Sequence, residues 1–410
     1  MKVAMVSPGW PPAACANGIV TYVHLLREGL KKIGVDTRVL SSHVEGTGPY
    51  PDIIDLTRCG SRFYVADKVR NRVISHFLPH DFLAYRGARS IANGLRHLKP
   101  GFYPDLLEME ESFGTVGLVS KRVRVPLVLR MHGPWFLTGG ALGAPRDESF
   151  RHRVAIEGKA ISRAKAVTSP SKDLLERVRR EYEIELPYAE VIPNPAPVVD
   201  NGARWKLASC DPDLVLFVGR FDRLKGGDLV IEAFSTIAAN RPSLKLMFVG
   251  PDRGLEDGRG GSIGLKEYLS AQVPDLSVRS RIQHLGQMSA EEIPEWRRKA
   301  RVTIVASRFE VFGMVTLEAL AFGSPLVAAR AGGTSEIVAH EENGFLFEKG
   351  NASDLAHWLA TMLDQPQLAA KLGERAATDA EFRFGPDVIA SRMKQCYERV
   401  IVENGSRARA

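Results

Sequence analysis

The chain has 410 residues, 25% of them charged and 44% apolar, and a formal net charge of +7. It is too long for a single hydrophobic core, so two domains are expected, and the composition is that of an ordinary globular protein. The positive balance favours an acidic partner such as nucleotide phosphates, anionic lipid or nucleic acid.

Lys2–Val6 reads as an apolar strand, so no signal peptide is expected, and no apolar run reaches the length of a membrane span. Cys15, Cys59, Cys210 and Cys396 lack metal or redox pair spacing and fit reduced thiols in a cytoplasm. A Pro/Gly-rich loop, Ser7–Gly18, leads into an amphipathic helix over Ile19–Ile33 and a strand over Thr37–Ser41. This βαβ opening is Rossmann-like but lacks G-x-G-x-x-G, which argues against a dinucleotide site. Asn17 and Gly18 stand at the helix start, where either a simple cap or a contact to phosphate or sugar fits.

Arg58–Lys99 is rich in cations, including Arg62, Lys68, Arg70, Arg72, Arg86 and Arg89, with aromatic and aliphatic residues interleaved. Such a stretch suits an anionic membrane surface, and equally a solvated helical face. Strands are expected at Asp105–Glu110 and Val125–Met131; the second ends in His132-Gly133-Pro134, which places an imidazole at a strand's carboxyl end. Gly139–Pro145 reads as a flexible loop, Arg151–Ala164 and Lys172–Tyr182 as helices, and Pro193-Asn194-Pro195 as the domain boundary. The chain is therefore expected to divide into 1–195, 196–385 and 386–410, the last a C-terminal helix with a frayed tail from Asn404.

The second half begins again with a strand at Leu214–Val218. In the loop that follows, Arg220 and Lys225 can converge on a diphosphate, or remain surface charges. Strands then recur at Leu244–Val249, Ile282–Leu285, Val302–Ala306 and Pro325–Ala329, with helices between them. The loop Ser307–Gly313 opens a helix over Thr316–Phe322. Glu310 precedes that helix and Glu318 lies two turns into it. Free N–H groups at Gly313, Met314 and Val315 favour phosphate, and a carboxylate on either side can accept from hydroxyls. Phosphate flanked by hydroxyls describes a nucleotide sugar, bound where loops leave the carboxyl ends of neighbouring parallel strands. Two solvated glutamates on an ordinary βα unit are the plain alternative.

Four segments carry a resemblance: Val218–Gly227, Ser307–Gly313 through Glu318–Ala321, Ala331–Glu336 and Asn343–Phe347. With the Pro193–Pro195 hinge and the His132-Gly133 strand end, the chain resembles the retaining glycosyltransferases of family 4. The resemblance implies an α/β, GT-B architecture, two Rossmann-like doubly wound domains facing a central cleft. It implies that Arg220 and Lys225 bind the donor diphosphate and stabilise the leaving group, that Glu310 holds hydroxyls of the transferred sugar, and that Glu318 holds the ribose. Phe312, Gly313, Met314 and Val315 would complete the donor site, and His132 would lie on the sugar face. Asn17-Gly18 stands where the family has Gly-Gly. The resemblance implies no cofactor and no metal, with the nucleotide-diphosphate sugar as co-substrate, an acceptor bound by the first domain, and a last helix that returns to that domain.

The implied activity is transfer of a hexose from a nucleotide-diphosphate sugar to a glycan or lipid-linked acceptor, as in bacterial polysaccharide or lipopolysaccharide assembly. The expected location is cytoplasmic, with the 58–99 stretch offering a peripheral contact to the inner face of the membrane. The alternatives are a soluble small-molecule acceptor, a same-fold epimerase or phosphorylase, and a non-catalytic sugar-nucleotide-binding protein. A nucleic-acid partner is not expected, because the basic stretch contains no recognition module.

Overall fold

Runs of β-branched and aliphatic residues bounded by polar loops become strands buried on both faces, and amphipathic stretches between them become the covering helices. The computed structural model describes residues 1–15, 17–46, 48, 50–59, 81–98, 101–256 and 261–407. The chain divides into two compact units, one of Met1–Pro195 with Pro386–Ala410, the other of Ala196–Gly385.

Among the described residues, the first unit contains seven strands: β1 (Lys2–Ser7), β2 (Asp36–Ser41), β3 (Ile53–Asp55), β4 (Leu106–Glu110), β5 (Leu127–Arg130), β6 (Val167–Ser169) and β7 (Glu190–Val191). They form one parallel sheet in the order β3-β2-β1-β4-β5-β6-β7. Strand order reverses between β1 and β4, the position beyond whose carboxyl ends open α/β sheets bind ligands. Helix α1 (Gly18–Lys32) buries Tyr22, Val23, Leu26 and Leu30. Against it packs the last helix, Pro386–Arg407, so closely that a Cβ on Gly29 would lie 2.1 Å from the Pro386 carbonyl oxygen. A buried polar knot ties the two helices to the sheet. Glu108 on β4 accepts from the Tyr22 hydroxyl at 3.1 Å and the Tyr397 hydroxyl at 2.6 Å. Arg130 lies over the Tyr22 ring and donates to the Ile192 carbonyl at 2.7 Å and to Asn194 at 2.6 Å, which anchors the segment just before the Pro193–Pro195 turn.

The second unit has β8 (Asp211–Val218), β9 (Lys245–Val249), β10 (Leu255–Glu256), β11 (Ser262–Ile263), β12 (Ile282–Gly286), β13 (Ala300–Val305), β14 (Leu326–Ala329) and β15 (Phe345–Phe347). Six form a parallel sheet ordered β12-β9-β8-β13-β14-β15, and β10 pairs antiparallel with β11 alone. Here the order reverses between β8 and β13, the two strands whose carboxyl-end loops carry the predicted donor residues.

Three local expectations are corrected. The segment read as a flexible loop at Gly139–Pro145 begins inside a helix, Trp135–Ala141. Gly139 is there because a Cβ would lie 2.5 Å from the Trp135 ring, so the glycine serves packing rather than mobility. The tail read as frayed from Asn404 continues as helix to Arg407. Strand β3 was missed because three residues give no resolvable period. Of the basic stretch, Arg62, Lys68, Arg70, Arg72 and Lys99 lie outside the described residues. Arg86 and Arg89 fall on a helix, Phe82–Arg96, that buries Ala84, Ala88, Ile91 and Ala92 and leaves Leu83 exposed. Among the described residues, no helix is long and apolar enough to cross a membrane.

Candidate active site

The second unit brings most of the predicted residues to one sheet edge. In the loop after β8, Asp222 accepts from Arg220 Nε and from the Lys225 backbone N–H, both at 2.7 Å. One carboxylate thus fixes the base of both cations. Gly226 then takes φ 72°, which starts helix α2 (Gly227–Ala238). In the loop after β13, Ser307 Oγ donates to Glu310 Oε1 at 2.8 Å, and the same oxygen takes the Lys225 ammonium in an ion pair. The two loops are laced together from behind. The Arg308 N–H donates to the Leu224 carbonyl at 2.8 Å, and its guanidinium grips Asp228 with bonds of 2.6 and 2.7 Å.

Gly313, at φ 108°, turns the chain into helix α3 (Met314–Ala321), whose start carries no side-chain cap. The loop after β14 closes in from the other side: a Cβ on Gly333 would meet Phe312 Cα at 2.5 Å. The Phe312 ring itself is buried against Phe384, centroids 6.2 Å apart, so any donor contact at this position falls to the backbone. Glu318 sits on the solvent-facing side of α3 and pairs through Oε2 with Arg297 at 3.1 Å.

The remaining predicted residues lie in the first unit. Asn17 is a true N-cap: its side-chain oxygen accepts from the Ile19 N–H at 2.8 Å, and Gly18 is the first helical residue. One turn on, the Tyr22 ring meets His132 edge to face, centroids 4.9 Å apart. Burial and the nearby Arg130 hold the His132 imidazole well below its ordinary pKa, so it is neutral at pH 7.

Sequence reasoning passed over the residues that hold His132. Glu111, buried at the end of β4, accepts from the His132 N–H at 3.0 Å and from the Gly133 N–H at 2.7 Å. Glu157, also buried, accepts from the backbone N–H groups of Phe113 at 2.9 Å and Trp135 at 2.6 Å. It also pairs with Arg153, whose guanidinium is sandwiched 3.7 and 3.8 Å from the Phe113 and Trp135 ring centroids. The available signal was the cluster of acids, Glu108, Glu110 and Glu111, at a strand's carboxyl end, where solvated charges alone would not interrupt a buried strand.

Burial and the Glu110 charge push Glu111 from 4.5 up to about 8. An acid raised on folding binds more protons folded than unfolded, so its linkage removes stability as pH rises through that window. The slope is at most about 1.4 kcal/mol per pH unit between 4.5 and 8. His132 acts with the opposite sign, costing stability as pH falls below 6.5. Glu111→Gln should therefore remove the first slope and leave the second. Urea unfolding of both proteins from pH 5 to 8 checks this: parallel stability curves would exclude Glu111 as the source.

Two doubly wound parallel units in one chain, the second with cations and a carboxylate meeting at its strand-order reversal, define the GT-B class. The chain belongs to the glycosyl transferases group 1, whose family profile matches residues 202–379, and a glycosyl transferase 4-like domain matches residues 17–195. It is an enzyme of the hexosyltransferase class. It is 29% identical over 322 residues to a D-inositol 3-phosphate glycosyltransferase of Streptomyces avermitilis, across 76% of this chain and 68% of that protein. A second D-inositol 3-phosphate glycosyltransferase, of Catenulispora acidiphila, is 26% identical over 400 residues, 95% of this chain and 92% of that one. Among solved structures, a sucrose-phosphate synthase from Thermosynechococcus elongatus superposes with a TM-score of 0.69 at 22% identity, covering 98% of this chain and 99% of its own. Anabaena HepE in complex with UDP and glucose gives 0.65 at 19% identity, covering 97% and 100%.

Proposed function

We propose that this enzyme moves a hexosyl group, with retention at the anomeric carbon, from a nucleoside-diphosphate sugar to a soluble small-molecule acceptor. The observation that carries the donor side is the convergence of Lys225 and Glu310, with Arg220 on the same loop, at the strand-order reversal beside the start of α3. Arg220 and Lys225 face the diphosphate as the bond from the anomeric carbon to the phosphate oxygen breaks and its electron pair leaves with the phosphate. Glu310 accepts from the sugar's hydroxyls and Glu318 from the ribose. The acceptor hydroxyl attacks the same face of a short-lived oxocarbenium ion, and its proton passes to the departing phosphate. His132, neutral, contributes a hydrogen bond rather than a charge.

The acceptor departs from the sequence-based preference for a lipid-linked glycan. The relatives named above act on an inositol phosphate, a small polar alcohol, and the match to them extends through most of the chain. The membrane reading leaned on the 58–99 stretch, whose cations between residues 60 and 80 lie outside the described residues.

Arg220, Lys225 and the helix start supply the positive charge that a metal supplies in other transferases, so donor turnover is expected to survive a chelator. The direct test is thermal stabilisation by UDP, GDP, ADP and their sugars, with and without chelator. A ligand at 100 times its Kd adds about 2.7 kcal/mol of stability. No shift with any nucleotide would overturn the donor site. With the donor set, turnover on polyol phosphates in free solution is expected. Turnover confined to lipid-linked glycans in anionic vesicles would restore the lipid acceptor.

A further inference from the structure

The short helix Ile293–Lys299 ends in three cations, Arg297, Arg298 and Lys299, the composition expected of a solvated C-terminal turn. Arg298 and Lys299 are exposed, but Arg297 is 1% exposed, one of the largest fully buried side chains in the protein. Its guanidinium Nη2 donates to Glu318 Oε2 at 3.1 Å and, more weakly, to the Val315 carbonyl at 3.4 Å; its Nη1 is buried with no hydrogen-bond partner. Burying a guanidinium costs several kcal/mol, which one carboxylate and a long backbone contact do not fully offset, and an apolar side chain of the same volume would pack at least as well. Stability alone therefore does not account for an arginine at this position.

Its geometry relative to Glu318 does. Glu318 is 30% exposed and lies on α3, one turn beyond the Val315 carbonyl that shares the same nitrogen. The guanidinium engages one carboxylate oxygen from the protein interior and leaves Oε1 for solvent. A glutamate so held cannot swing freely and presents one oxygen with two lone pairs outward. Two adjacent hydroxyls can both donate to such an oxygen.

We infer that Arg297 is a positioning residue for Glu318, and that the pair reads the cis-diol of the donor ribose, making the site selective for ribonucleotides over their 2′-deoxy counterparts. The inference rests on the donor site proposed above. Arg297 touches no substrate; it acts through the orientation and charge of Glu318.

The test uses whichever of UDP, GDP and ADP stabilises the protein most, together with its 2′-deoxy form, in titration calorimetry. The native enzyme is expected to prefer the ribonucleotide by roughly tenfold or more, the worth of a hydrogen bond to a charged acceptor. Arg297→Met should bind both forms nearly equally, at the weaker level, with a melting temperature unchanged or raised. Arg297→Lys, which restores a buried cation near Glu318, should recover part of the preference. Glu318→Ala separates the two readings. If it leaves the preference intact, the ribose assignment of the donor site fails, whatever Arg297 does. If it abolishes the preference while Arg297→Met and Arg297→Lys both retain it in full, the ribose site stands and the role of Arg297 is overturned. Should Arg297→Met not fold, a preference at the native level in Arg297→Lys and Arg297→Gln alike would overturn it equally, because Gln removes the charge.

Discussion

Lys225→Ala is expected to lower kcat for donor turnover by ~10²–10³-fold, the usual cost of removing one group that stabilises developing charge on a leaving group. The structure makes the experiment sharper than a simple loss of activity. Lys225 is paired with Glu310, and the two side chains are 24% and 13% exposed. A pair that accessible to water contributes about 1 kcal/mol to stability at most. If the lysine only held the Ser307–Gly313 loop in place, removing it would shift the melting temperature by a few degrees and leave chemistry nearly intact. If it faces the diphosphate, kcat falls steeply, far out of proportion to that same small shift in melting temperature. Glu310→Gln supplies the complementary measurement. It keeps the Ser307 hydrogen bond, frees the ammonium, and should weaken the contact to the transferred sugar rather than to free nucleoside diphosphate. The double variant should cost less than the sum of the singles, because each single change also breaks the ion pair that the other residue depends on. Near-native turnover by Lys225→Ala removes the lysine from the site.

The second unit was legible in the sequence for a physical reason. Strands of a parallel sheet are buried on both faces, so Ala300–Val305 and Leu326–Ala329 stand out as unbroken apolar runs, and the polar loops between them mark where ligands can be met. The pairings across those loops were not legible. Lys225 and Glu310 lie 85 positions apart, and only the neighbouring placement of β8 and β13 brings them together. Arg297 was hidden by its composition: three consecutive cations read as a solvated helix end, and nothing in the run marks the one that points inward. Glu111 and Glu157 were hidden differently. Their partners are backbone N–H groups of Phe113, His132, Gly133 and Trp135, and backbone donors have no signature in a sequence. His132 could be placed at a strand end, but its support from Glu111 below and Tyr22 beside it required coordinates. The glycines of Gly139–Pro145 pointed the wrong way altogether, since close packing and flexibility both call for the same residue.

Gly226→Ala is expected to be among the most damaging conservative substitutions in the second unit, costing about 3–5 kcal/mol of stability. Two effects add. Gly226 occupies the left-handed region at φ 72°, which costs an L-residue about 1 kcal/mol. Its Cβ would also lie 2.1 Å from the Ala306 carbonyl oxygen, a backbone atom that cannot rotate away. Ala306 follows β13 and begins the loop that carries Ser307 and Glu310, so relieving the clash means separating that loop from the one holding Lys225. Nucleotide binding should therefore fail together with stability, even in protein that remains folded. Gly34→Ala serves as the control within the same chain. It has nearly the same backbone, φ 79°, but nothing lies within 4 Å of the added methyl, so only the conformational cost of about 1 kcal/mol applies. Chemical unfolding of the two variants side by side isolates the steric part. Equal losses in both would mean that the β8 and β13 loops are free to move apart, and that their close approach at Gly226 does not set the spacing between Lys225 and Glu310.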